Sequence, residues 1–154
     1  CGETSEGGCE QMIKKILVVV AAIIVVVIGV AVWAFSGRDP LQQYLSQRAE
    51  KTSLTFKSVF TDADRFVVVC PGAEQADITM ALGQNVTGKV AAPKDGNNTL
   101  VSVAQGKAEP HEYQRQRIDL CENLPGGAKV LIIEGEQTYN FVQPANSSQW
   151  VMQH

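Results

Sequence analysis

Histidine is almost absent from this chain: His111 and His154 are the only two in 154 residues. Few groups can therefore titrate near neutrality and serve general acid–base chemistry. No His-Glu-x-x-His, no Gly-x-Ser-x-Gly and no glycine-rich phosphate loop occurs, so the usual sequence signatures of a zinc protease, a serine hydrolase and a nucleotide site are missing. Excess charge of either sign is lacking as well. Thirteen Lys and Arg stand against sixteen Asp and Glu, a net charge of −3, which argues against nucleic acid as a main partner. There is neither an internal repeat nor a low-complexity linker. The chain reads as a non-enzyme with no cofactor and no metal.

What the chain does have is a long apolar run. Ile16 to Phe35 carries no charge, and as a helix it would rise roughly 30 Å, the thickness of a bilayer's hydrocarbon core. It is longer than the apolar core of a cleaved signal peptide. The run predicts a retained single-pass transmembrane anchor over residues 12–36, with the lipid bilayer as its surroundings. Lys14 and Lys15 precede it, and the next cation, Arg38, is followed at once by Asp39. The positive-inside rule then keeps the N-terminus cytoplasmic and exports residues 37–154. Trp33 and Phe35 fall where an outer aromatic belt belongs, although ordinary apolar filling explains them equally well. Ala21, Ala22, Gly29, Ala31 and Ala34 are small enough to allow close contact with a partner's transmembrane helices.

The four cysteines divide two and two across this barrier. Cys70 and Cys121 lie in the exported part, where an oxidising compartment favours a disulfide; closing a loop of about 50 residues would stabilise a small domain by roughly 4 kcal/mol. Two buried free thiols are the plainer alternative, and a redox pair is disfavoured without a Cys-x-x-Cys motif. Cys1, followed by Gly2, could be a lipidated residue, but that would place Lys14 and Lys15 on the outer face against the charge bias. Cys1 and Cys9 alone do not complete a metal shell. Residues 1–11, rich in Gly and Glu, read as a disordered cytoplasmic tail or an upstream extension of a start at Met12.

Residues 37–154 amount to one extracytoplasmic domain. Asp39-Pro40-Leu41-Gln42 opens a helix, with Asp39 as its cap, and Leu41, Tyr44, Leu45 and Ala49 place one apolar stripe on a helix ending near Lys51. Leu54, Phe56 and Phe60 suggest a half-buried strand, and Arg65 to Cys70 a central one, stopped by Pro71-Gly72. Ala73 to Leu82 predicts a short helix with Ala73, Ala76 and Met80 on one face and Gly83 as its breaker. Gly88 to Ala91 is a weak strand, Pro93 to Asn98 a turn, and Thr99 to Ala104 a clear strand. His111 to Cys121, Lys129 to Glu134, Thr138 to Val142 and Gln149 to Met152 follow as strands, with Leu124 to Gly127 as a turn. The expected class is α+β: a single N-terminal transmembrane helix followed by a small exported domain with a mostly antiparallel sheet, two helices and one disulfide.

Candidate chemistry is thin. His111 lies between Glu109-Pro110 and Glu112 and reads as a solvated loop histidine. Asp62, Asp64, Glu74 and Asp77 read as a solvated acidic surface, since Asp62-x-Asp64 lacks the other ligands of a calcium loop. Arg115 and Arg117 would share one strand face near Lys107, a docking patch for an acidic partner or simply a solvated face. Asn85, Asn97 and Asn146 begin glycosylation acceptor patterns, which are chance turn sequences if the source is bacterial. The functional expectation is a non-catalytic accessory or assembly subunit of a larger integral-membrane complex, with a bacterial respiratory supercomplex as the class in mind. A freestanding cell-envelope binding module for a small molecule, peptide or wall component is the alternative.

Overall fold

The computed structural model describes the backbone of residues 6–37 and 39–154, and the side chains of 12–28, 37 and 39–154. The chain divides into two compact units, residues 1–38 and 39–154.

The first unit is helix α1, Glu6–Ser36. It corrects the expectation of a transmembrane anchor over 12–36, because among the described residues no helix is long and apolar enough to cross a membrane. Among the residues whose side chains are described, the uncharged stretch Ile16 to Ile28 rises about 20 Å, against the roughly 30 Å of a hydrocarbon core. The large apolar residues from Met12 to Ile28 are nonetheless 46–69 % exposed. The side chains of Gly29, Ala31, Trp33, Ala34 and Phe35 lie outside the described residues, as does the structure of residues 1–5 of the expected tail.

The second unit, the head, holds α2 (Pro40–Ser46), β1 (Lys51–Thr55), α3 (Phe56–Val59), β2 (Arg65–Val69), α4 (Gln75–Leu82), β3 (Asn97–Ala104), β4 (Lys107–Gln114), β5 (Ile118–Asp119), β6 (Val130–Ile133), β7 (Thr138–Val142) and β8 (Trp150–Gln153). A short 3-10 turn, Pro125–Gly127, precedes β6. The class is α+β as expected, but the head carries three α-helices rather than two, the four-residue α3 being the addition, and the strands form two four-stranded sheets, ordered β1-β7-β8-β5 and β4-β3-β2-β6. All pairings are antiparallel except β5 with β8.

Strand β2 explains the layering. Phe66, Val67, Val68 and Val69 are all fully buried. Phe66 and Val68 join Leu100, Tyr113, Ile133, Tyr139, Phe141, Trp150 and Met152 in a core between the sheets, which α2 and α3 seal with Leu41, Leu45 and Phe56. Val67 and Val69 face the other way, into a core with Val101, Val103, Ile78 and Leu82 beneath α4. A strand covered on both sides reads as a continuous apolar run, as this one does.

Three local expectations are corrected. Helix α2 stops at Ser46, and Lys51 already belongs to β1. Phe56 and Phe60 are not strand residues: the chain turns helical at Phe56, and the two rings, four positions apart, reach the inter-sheet core from one side. Helix α4 buries Ile78 and Leu82 against Val67 and Val69, while Met80 is 79 % exposed.

Cys70 and Cys121 are bonded, with their Cα atoms 5.9 Å apart. The bridge ties the end of β2 in one sheet to the residue after Leu120, next to β5 in the other. Beside it, fully buried Asn98 donates from Nδ2 to the carbonyls of Tyr113 and Ile118, each at 2.9 Å, and accepts from the Leu120 amide at 2.7 Å. The same region therefore carries a covalent and a polar tie between the sheets. Replacing Cys70 and Cys121 together by serine is expected to cost about 3 kcal/mol and lower Tm by about 10 °C; a thermal melt of the oxidised and doubly substituted chains checks it.

Candidate functional site

The hairpin of β3 and β4 turns on Gln105 and Gly106, both at positive φ (50° and 75°), as a two-residue loop matching the strands' twist requires. That turn sets Ser102 opposite Glu109, and His111, two residues on, shares the face on the diagonal. His111 is therefore not a solvated loop residue. Its ring lies 4.8 Å from the Phe60 ring, its Nε2 is 2.9 Å from Ser102 Oγ, and its Nδ1 is 2.9 Å from Asp39 Oδ2.

Asp39 comes from the start of the head, seventy-odd positions away in sequence. Its Oδ1 accepts from the amides of Leu41 at 3.0 Å and Gln42 at 3.2 Å, the cap that the sequence predicted, and from the Tyr113 hydroxyl at 2.7 Å. One carboxylate thus starts α2 and fastens it to β4. Burial alone pushes the Asp39 carboxyl upward, but the hydrogen bonds from His111, Tyr113 and the Gln42 amide outweigh it and hold the group below its usual value. The Tyr113 hydroxyl is pushed well above its ordinary range, first by burial and then by the neighbouring Asp39 charge.

Ser102, His111 and Asp39 are spaced as in a hydrolytic triad, yet the order from solvent is inverted. In such a triad the carboxylate is the buried member and the hydroxyl meets substrate. Here the Asp39 side chain is 20 % exposed and that of His111 13 %, while Ser102, only 6 % exposed, is the innermost. Ser102 also sits in mid-strand, paired with Phe66 on one side and Glu109 on the other. Its backbone belongs to the sheet ladder, whereas an oxyanion hole needs amides aimed at a substrate. A shallow cavity of about 230 Å³ beside the cluster is lined by Asp39, Gln42, Glu112, Tyr113, Gln114 and Arg117, without Ser102 or His111. The arrangement can order and orient, but it does not present a nucleophile.

The remaining sequence candidates scatter. Arg115 donates from Nε and Nη2 to Asp119, at 2.9 and 2.8 Å, and the buried Asp119 also accepts from the Cys121 and Glu122 amides. Arg115 is thus engaged within the head, apart from Arg117. Asp64 lies 3.6 Å from Lys57 Nζ, and among the described residues no group of acidic, Cys and His side chains could hold a metal ion. Asn97 donates to Glu112, and Asn146 sits in a turn with φ 61°. Ala21 and Ala22 are exposed on α1. Among the described residues no buried side-chain polar atom lacks a hydrogen bond.

No family model, no curated protein and no solved structure matches the chain.

Two tests follow from the geometry. A fluorophosphonate probe is expected to leave Ser102 unlabelled in the folded chain; labelling abolished by Ser102→Ala would contradict the inverted order. Asp39, with its folded pKa below the unfolded value, contributes stability that is present above the unfolded pKa and is lost as pH falls through the folded one. Asp39→Asn should therefore lower stability by about 1 kcal/mol at pH 7 through its weakened bonds to His111 and Tyr113 and flatten the loss of stability as pH falls through the carboxylate range, as read from urea midpoints.

Proposed function

We propose that the chain is a non-catalytic accessory or assembly subunit of a larger integral-membrane complex, held there by apolar contact along Met12–Ile28. The observation that carries this reading is the exposure of that stretch on every side. A helix that is hydrophobic all round is stable only when something apolar covers it, and helices of partner proteins supply such cover without this helix having to traverse the bilayer itself. The head fits a scaffolding role. Its one triad-like cluster is turned inward, and its disulfide and Asn98 tie rigidify the two sheets against each other.

In this reading the head lies outside the cytoplasm, where the Cys70–Cys121 bond persists. A bacterial respiratory supercomplex is the first class of complex to be tried. The experiment is purification of the tagged full chain from native membranes in mild detergent, followed by identification and quantification of co-eluting proteins. Stoichiometric retention is expected, with retention falling at least tenfold in a Val20→Lys, Ile24→Lys variant. Elution of the unaltered chain alone would contradict the subunit reading and favour a freestanding envelope module.

A further inference from the structure

Strand β6 is an edge of its sheet and pairs only with β2. The Cys70 amide donates to the Lys129 carbonyl at 2.8 Å, so Lys129 faces β2. By antiparallel alternation Leu131 and Ile133 do the same, while the backbone groups of Val130 and Ile132 point to the open side. The segment Val130-Leu-Ile-Ile133 holds no charge and no proline, the devices that normally blunt an edge. The opposite edge of the same sheet, β4, carries Lys107, Glu109, Pro110 and Glu112. Ile132 is 55 % exposed, and within the head Met80 is the other exposed large apolar side chain. Met80 lies on α4, the helix that packs against β6.

We infer that β6 pairs antiparallel with β6 of a second copy of this chain, joining two four-stranded sheets into one of eight strands. The flanking charges select that occupant and direction. Lys129 precedes the strand and Glu134 and Glu136 follow it, all three exposed. Antiparallel self-pairing sets the basic end of each strand beside the acidic end of the other, whereas a parallel arrangement would set like beside like. Register is constrained too. Only pairings that oppose outward-facing residues close hydrogen bonds, and a twofold axis at Leu131 pairs each Val130 with the other copy's Ile132. Four backbone bonds then form, each exposed Ile132 is covered by a Val130, and each Lys129 stands opposite Ile133 of the other copy, at the end of the strand from which Glu134 and Glu136 continue. The contact is isologous and closes on itself, so it ends at a dimer.

The test uses the full chain in detergent micelles, because α1 could also associate. Sedimentation analysis corrected for bound detergent is expected to give a dimer for the unaltered chain. Ile132→Lys, at an exposed position, should raise the dissociation constant at least tenfold while leaving Tm within about 2 °C. In a background with Cys1 and Cys9 replaced by serine, Leu131→Cys should form a covalent dimer under mild oxidation, and Glu109→Cys, on the other edge, should not. A monomeric unaltered chain, a dimer insensitive to Ile132→Lys, or equal crosslinking at both positions would overturn the inference.

Discussion

Phe66, Val67, Val68 and Val69 have no exposure at all, and they alternate between a core shared by two sheets and a core under α4. A single five-residue strand must therefore satisfy two apolar surfaces at once, and the rest of the head is arranged so that it can. The second sheet, α2 and α3 cover one face; α4 and the segment around Val90 cover the other. The disulfide leaves from the residue after Val69, so the most buried strand is also the one covalently tied to the opposite sheet.

Polar groups in this head serve placement. Asn98 has no exposure, and each of its bonds runs to a backbone group on β4, on β5 or just after it. Asp39 closes the first turn of α2 and receives Tyr113 and His111 from β4. Asp119 gathers Arg115 and two amides next to the disulfide. The Asn98 and Asp39 clusters join segments far apart in sequence, whereas the Asp119 cluster is local, and each sits near the end of a strand or the start of a helix. A carboxylate or amide at such a point does what a cap or turn requires, and the triad-like spacing of Ser102, His111 and Asp39 is one more case.

Much of this was legible in the residues. The β-prone run Arg65 to Cys70, its Pro-Gly stop, the strand from Thr99 and the cap at Asp39 follow from local chemistry, and the Cys70–Cys121 bridge forms as the pairing of the two later cysteines suggested. The face of α4 did not, because Ala76 and Met80 offer a plausible stripe, whereas Ile78 and Leu82 are the residues that pack on Val67 and Val69. Phe56 and Phe60 fit a period of two as well as a period of four. The partners of His111 were hidden by distance in sequence, since Asp39 belongs to another element altogether. One signal was available: a two-residue turn at Gln105-Gly106 puts Ser102 across from Glu109 and brings His111 onto the diagonal. The anchor over 12–36 was not upheld, because among the described residues no helix is long and apolar enough to cross a membrane.

The account makes the doubly buried strand the last part of the head to open. Native-state hydrogen exchange on the full chain measures this directly. It predicts that the amides of Val67, Val68 and Val69 exchange only through global unfolding, with α2 and α4 opening earlier at lower free energy. Faster exchange in β2 than in β7 and β8, leaving the second sheet intact while the first opens, would contradict it.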